Sequence, residues 1–204
     1  AGTVAREAAA ARAALAFVST DFVFDGSKGV AYCEWDEPRP RGVYALSKRW
    51  GEELVLAAHP GALVLRTAWL FGPGGRSFVD KILERAGRGE PFDVVDGQFG
   101  TPSYAPDVAA TLWRLLGRGE RGIFHCVNPG VVSRLEFARA ILEAAGLDPS
   151  LVRPTTEERL GRPAPRPSFS ALANLRLEAA GIRMRPWREA LLEHLRVRVS
   201  GGAR

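Results

Sequence analysis

The sequence predicts an α/β fold with a largely parallel sheet. Two observations carry this expectation. Apolar runs of strand length alternate with segments of helical pattern, the order expected of βαβ units. One run, Ala62–Thr67 (ALVLRT), is continuous rather than alternating, as in a strand buried on both faces.

Residues 3–14 (TVAREAAAARAA) are alanine-rich and favour helix. Leu15–Val18 leads into a short strand ending at Ser19-Thr20-Asp21. Gly26–Gly42 is turn-rich, and Pro38 and Pro40 bar a regular element there. Val43–Ala58 reads as a helix stopped by His59-Pro60-Gly61. After the Ala62–Thr67 strand, Gly72–Gly75 is a loop and Ser77–Ala86 a helix. Phe92–Val95 is expected as a short strand and Asp96–Pro106 as a loop. Asp107–Leu116 is expected as a helix capped by Asp107, and Gly122–Val127 as a strand. Ser133 and Glu136 fit a capping box heading a helix over Ser133–Ala145, with Gly146 as its stop. Arg153–Ser170 is proline-rich and reads as irregular. Pro186–Val197 is expected as a closing amphipathic helix. No internal repeat is present.

At 204 residues, 46% apolar and 25% charged, the chain has the make-up of a soluble globular protein. No apolar run approaches the roughly 18–20 residues of a membrane span. The first residues carry Glu7 and no compact apolar block, so a signal peptide is not expected. A cytoplasmic protein with no membrane partner is the expectation. The net charge is +5, but the basic residues are spread along the chain and nearly all are Arg, with Lys only at 28, 48 and 81. No basic stripe interleaved with aromatics appears, so a nucleic-acid partner is not expected. A few arginines meeting the phosphates of a small anion is the milder reading. Cys33 and Cys126 form no CxxC pair. His59, His125 and His194 show no metal-ligand spacing with each other or with the cysteines.

The residues best suited to chemistry are Thr20 at a strand end and the pair Tyr44 and Lys48 at a helix start. A spacing of four places Tyr44 and Lys48 on one helix face. A phenol with a pKa near 10 is a poor acid–base group at neutral pH. A neighbouring ammonium favours the phenolate and brings it toward the working range. A threonine hydroxyl at the carboxyl end of a strand can bond the same substrate oxygen. The spacing alone also fits an exposed helical pair, and the surrounding residues are what make it specific.

Those surroundings are Ser19-Thr20-Asp21-Phe22-Val23-Phe24-Asp25-Gly26, Tyr32-Cys33-Glu34-Trp35-Asp36-Glu37-Pro38 and Tyr44-Ala45-Leu46-Ser47-Lys48 with Gly51-Glu52. Further on come Leu65-Arg66-Thr67-Ala68-Trp69-Leu70-Phe71-Gly72, Gln98-Phe99-Gly100-Thr101-Pro102 with Asp107, and Ala164-Pro165-Arg166-Pro167 with Ser170. In this order they resemble the motifs of the dTDP-4-dehydrorhamnose reductases, members of the extended short-chain dehydrogenase/reductase superfamily. The resemblance covers most of the chain. It implies a Rossmann-like doubly wound parallel sheet with a smaller C-terminal α/β substrate-binding lobe. Residues 1–130 would be the C-terminal part of the dinucleotide-binding domain with interleaved lobe segments, and residues 131–204 mainly the lobe.

The resemblance implies reduction of the 4-keto group of dTDP-4-dehydro-L-rhamnose by NADPH or NADH. Tyr44 would donate the proton to the carbonyl oxygen, Lys48 would tune Tyr44 and hold the nicotinamide ribose, and Thr20 would polarise the carbonyl. Tyr44, Lys48 and Thr67 would meet the cofactor. Asp21, Phe22 and Trp69 would line the sugar site with Thr20, and Arg166 would reach the diphosphate or base. Metal-bridged dimers occur in the family, which leaves a homodimer and Mg²⁺ open, although no residue demands a metal.

The sequence departs from the family at its front. The glycine loop that binds the dinucleotide should follow the first strand of the fold. At about 30 residues per βαβ unit, two or more units are expected to lie outside these residues. A literal GxGxxG at Gly117–Gly122 follows a helix and precedes a strand, the reverse of the required order, and reads as a turn. Ala45, Phe22 and Ala68 stand where the family usually has Gly, Tyr and Ser. Dehydratases carry an acidic pair directly after the threonine, whereas Asp21 is followed by Phe22. Epimerases share the tyrosine and lysine without the Thr-Asp-aromatic wording. The regulatory subunit of methionine adenosyltransferase, a non-catalytic relative, is the alternative class.

Overall fold

The computed structural model describes residues 1–161 and 164–201. Helix α1 (Gly2–Ala10) leads to strand β1 (Ala16–Thr20), and helix α2 (Val43–Ala58) to β2 (Leu63–Thr67) and β3 (Leu70–Phe71). Next come α3 (Phe78–Ala86), β4 (Phe92–Val95), β5 (Phe99–Gly100), β6 (Ser103–Tyr104), α4 (Ala105–Gly117) and β7 (Gly122–His125). The chain continues through β8 (Val132–Ser133), α5 (Arg134–Ala144), β9 (Val152–Thr155), α6 (Glu157–Leu160), α7 (Leu175–Ala179) and α8 (Trp187–Gly201).

Strands β1, β2 and β7 form a parallel sheet in that order, with Thr20 opposite Thr67 and Leu65 opposite Phe124. All five residues of the central β2 are buried, as a continuous apolar run requires. Alternate residues of a strand point to opposite faces. Leu63 and Leu65 therefore pack with Leu115, Phe124 and Leu177 under α4 and α7, while Arg66 faces α2. Helices α1 and α2 cover this second face through Ala5 and Val55, which pack with Ala62 and Phe17. Gly51 permits the close approach of α2, because a Cβ there would lie 2.6 Å from Cζ of Phe17.

A second cluster joins Phe71, Val79, Ile82, Phe137, Ile141, Trp187 and Leu191, drawn from α3, α5, α8 and the strands beside them. Strands β4 and β9 pair in parallel, as do β3 and β6, and β5 meets β8 antiparallel. The capping box of α5 is present in both directions between Ser133 and Glu136. Gly146, with φ of +69°, takes the left-handed turn that follows that helix. The Gly117–Gly122 segment is a turn between α4 and β7, with Gly119 and Gly122 at positive φ.

Three local expectations are corrected. Helix α4 begins at Ala105 rather than Asp107, with Pro106 in the first turn, where its missing N–H costs nothing. Asp107 does not cap it. The Asn128 side chain accepts from Tyr104 N–H at 2.7 Å and donates to Asp107, which also takes a two-pronged bond from Arg185. Strand β7 stops at His125 because the Asn174 amide takes over both backbone groups of Val127. The stretches read as loop and irregular contain β5, β6, all of β9 but its first residue, and α6; residues 162 and 163 lie outside the described part.

One buried ion pair ties α2 to the sheet. Glu52 and Arg66 are both fully buried. Arg66 donates through Nε and Nη2 to the two carboxylate oxygens at 2.8 and 2.7 Å. Ser19 Oγ donates to the same carboxylate at 2.6 Å. The Arg66 guanidinium also stacks near Phe24 and lies 3.5 Å from Nε2 of His125. Nδ1 of that imidazole faces the carbonyls of Tyr32 and Ala173, so it carries the hydrogen and Nε2 accepts. Burial, then the Arg66 charge, pushes the His125 pKa down to about 3, so the ring is neutral.

Removing one member of such a pair strands the other charge. Glu52→Gln or Arg66→Met is expected to cost about 3–5 kcal/mol in denaturant unfolding, and Glu52→Leu with Arg66→Met to recover most of it. Additive losses in the double variant would contradict the pairing.

Candidate active site

Thr20 ends β1 and caps the short 3₁₀ turn Asp21–Val23, accepting Phe22 N–H on Oγ1 at 3.2 Å. Its hydroxyl donates to Asp21 at 3.1 Å. The other oxygen of Asp21 accepts from Ser170 Oγ at 2.5 Å, joining the sheet to a loop 149 residues away. Asp21 is only 3% exposed, so its carboxylate serves these hydroxyls and offers little surface to a ligand. Burial raises its pKa to about 6 against the pull of the two hydroxyls and of Arg134. Thr67, in register with Thr20 on the next strand, is buried and its Oγ1 has no protein partner. An orphaned hydroxyl beside Thr20 fits a ligand able to complete its hydrogen bonding.

Tyr44 lies in the first turn of α2, more than half exposed, with its ring edge-on to Phe22 at 6.3 Å between centroids. Both border a cavity of about 500 Å³ with Arg41, Pro165 and Arg166. Lys48, one turn further on, donates from Nζ to the carbonyl of Val18 at 3.1 Å and lies over the Phe17 ring. Tyr44, Lys48 and Glu52 follow one another at intervals of four on one helix face. The Glu52 bonds to Ser19 and Arg66 therefore hold that face against the strand ends bearing Thr20 and Thr67.

A second cavity, of about 720 Å³, lies between α3, β4 and α5, and is lined by Arg76, Lys81, Arg85, Arg88, Arg134 and Arg166 together with Glu84 and Asp93. Arg166 borders both cavities and bonds Glu157 at 3.1 Å. Trp69 holds the left-handed backbone conformation, φ +43°, which is strained for a bulky residue. A Cβ at Gly100 would come within 2.4 Å of the indole, so the glycine makes room for it. One indole face is covered by Arg134.

The structure thus brings Thr20, Asp21 and Thr67 together at the strand ends, sets Tyr44 and Phe22 on one cavity, and places Arg166 between the cavities. Lys48, on α2, reaches β1 through its bond to the Val18 carbonyl. Reading the sequence missed the bonding of Ser170 and Glu52, although both stood inside quoted motifs, and missed Arg134. Ser170 could have been suspected as one of two hydroxyls, with Ser168, in a short proline-rich run. Arg134 gave no signal, because an arginine at the first position of a helix looks like surface. Among the described residues no group of three or more His, Cys, Asp or Glu could hold a metal, and no helix is long and apolar enough to cross a membrane.

Comparison with known proteins gives consistent matches. The family model described as the RmlD substrate binding domain matches residues 1–199. A dTDP-4-dehydrorhamnose reductase of Mycobacterium tuberculosis is 47% identical over 195 residues, 92% of this chain and 64% of the relative. The chain therefore spans just under two thirds of that relative's length. A dTDP-4-dehydrorhamnose reductase of Clostridium acetobutylicum superposes with a TM-score of 0.92 at 34% identity, over 96% of this chain and 70% of the other. One from Bacillus anthracis, solved in complex with NADP, gives 0.91 at 32% identity over 95% and 69%. With the family model matched along nearly all of the sequence, this chain belongs to the RmlD substrate-binding-domain family.

Proposed function

We propose that the protein is an oxidoreductase that reduces the 4-keto group of dTDP-4-dehydro-L-rhamnose with NADPH or NADH. The single observation that carries the reading is the close likeness, 47% identity over 195 residues, to a protein named for that reaction. The cluster of Thr20, Tyr44, Lys48 and Thr67 supports it. The sheet side, mainly in residues 1–130, is the cofactor side, and the second cluster, mainly in residues 131–204, is the substrate lobe.

Lys48 and Thr67 would hold a nicotinamide dinucleotide, whose chemistry would be hydride donation to the carbonyl carbon. Tyr44, which borders a cavity, donates a proton to the carbonyl oxygen. Lys48 provides positive charge one turn away and hydrogen-bonding reach toward ribose hydroxyls. Thr67 offers its unpaired hydroxyl to the cofactor. Thr20 orients the carbonyl by turning onto its oxygen the hydrogen that it otherwise gives to Asp21, and Ser170 holds Asp21 in place. Phe22 and Trp69 form apolar walls for the sugar, and Arg166 serves the diphosphate. The two cavities on either side of Arg166 suit a ligand with a reactive end and an anionic end.

The protein is expected to oxidise NADPH or NADH only when dTDP-4-dehydrorhamnose is added. Tyr44→Phe should lower kcat about 10²–10⁴-fold with little change in KM. Oxidation without the keto sugar, or a Tyr44→Phe variant as active as the parent, contradicts the reading.

Asp21 yields a pH prediction. Its folded pKa lies above the ordinary value, so the folded state holds the proton more tightly than the unfolded chain. The charged form costs stability progressively as pH rises from 3.8 to about 6, and the cost is level above that. The stability of Asp21→Asn relative to the parent should rise across that window, toward a difference on the order of 3 kcal/mol. A difference independent of pH contradicts the assignment.

A further inference from the structure

Arg166, assigned above to the diphosphate, already holds a carboxylate of the protein. Its Nη1 donates to Oε1 of Glu157 at 3.1 Å and to the carbonyl of Ala164 at 3.4 Å. The other oxygen of Glu157 accepts from Nε2 of Gln98 at 2.9 Å. Gln98 and Arg166 both line the 720 Å³ cavity, and Arg166 also borders the smaller cavity with Tyr44. One carboxylate thus bridges two donors of the basic cleft, at the residue that the two cavities share.

The two sides of this bridge are held unequally. Gln98 is buried, and its carbonyl accepts the Arg134 N–H at 2.8 Å. Phe99 N–H donates to the Ser168 carbonyl at 2.7 Å and Ser170 N–H to the Phe99 carbonyl at 2.9 Å, which ties the segment after Arg166 to β5. Glu157, by contrast, opens α6, a four-residue helix that buries none of its residues. The donors are fixed, and the carboxylate rides on a lightly packed strap.

Carboxylate and phosphate oxygens accept the same charge-assisted bonds from a guanidinium, so they compete for it. The Glu157 and Arg166 side chains are 29% and 32% exposed, and a pair that open to water is weak enough for a more highly charged anion to displace. Without a ligand, Glu157 offsets the like charges of Arg76, Lys81, Arg85 and Arg88 around the cavity. A ligand that must displace it binds with an apparent affinity lowered by the fraction of molecules whose donors are open.

We propose that Glu157 is a specificity-determining residue, a built-in competitor that a diphosphate displaces from Arg166 and Gln98, and whose displacement releases the α6 strap. The assignment rests on the nucleotide-sugar reading above. A ligand without strong negative charge at this corner leaves Glu157 in place.

The test is calorimetric binding of thymidine diphosphate to the parent, Glu157→Gln and Asp93→Asn. Glutamine keeps the shape of the side chain and an oxygen for Gln98 while removing the charge. Glu157→Gln should bind about fivefold more tightly than the parent. Asp93→Asn removes a charge from the wall of the same cavity but leaves the Glu157–Arg166 bond, and should gain less than about twofold. In the parent, tryptic cleavage after the exposed Arg159 of α6 should speed up severalfold once thymidine diphosphate saturates. A Glu157→Gln protein that binds no more tightly than the parent, or a gain matched by Asp93→Asn, overturns the proposal. Cleavage after Arg159 that the diphosphate leaves unchanged or slows also overturns it. Each of these results leaves the nucleotide-sugar reading standing, whereas a parent that binds no thymidine diphosphate overturns both.

Discussion

A carboxylate and a guanidinium taken out of water are tolerable only when they face each other with their hydrogen-bonding groups filled. Glu52 and Arg66 meet that condition, and in doing so they fix where α2 lies on the sheet. The third partner, Ser19, is the neighbour of Thr20. The helix face that bears Tyr44 and Lys48 is thereby referred to the same strand ends that bear Thr20 and Thr67. Apolar packing alone, such as Phe17 against Gly51, brings the helix close but has no strong preference in azimuth. The two-pronged bond from Arg66 supplies that preference.

The second organising feature is the distribution of positive charge. The net charge of +5 is diffuse along the sequence but not in space. Folding gathers Arg76, Lys81, Arg85, Arg88, Arg134 and Arg166 around one cavity that holds only Glu84 and Asp93 in return. A concave, positively charged cleft of this size attracts a small anion. A nucleic-acid backbone, by contrast, calls for an extended stripe with stacking aromatics. Burial of Asp21 favours its proton, and the field of Arg134 opposes that.

Much of the fold was legible because its signals are local. The capping box of Ser133 and Glu136, the apolar run before Thr67 and the proline barrier at Pro38 and Pro40 act within a few residues. What was not legible depends on partners far away in sequence. Nothing near Tyr104 announces that Asn128 will cap α4, and nothing near Val127 announces that Asn174 will end β7. Two-residue strands such as β5 and β6 are too short to show a period of two. At the site, Thr20, Tyr44 and Lys48 stood out by spacing and wording. The burial of Asp21 by Ser170 and the stacking of Arg134 on Trp69 are tertiary events without a local trace.

Native-state hydrogen exchange tests the coupling between α2 and the sheet most directly. If the Glu52–Arg66 clamp holds them as one unit, the amides of β1, β2 and the middle of α2 should open with one common free energy, close to that of global unfolding. Amides of α2 that open separately, at a free energy well below that of β1 and β2, would contradict the claim that this ion pair sets the geometry of the site.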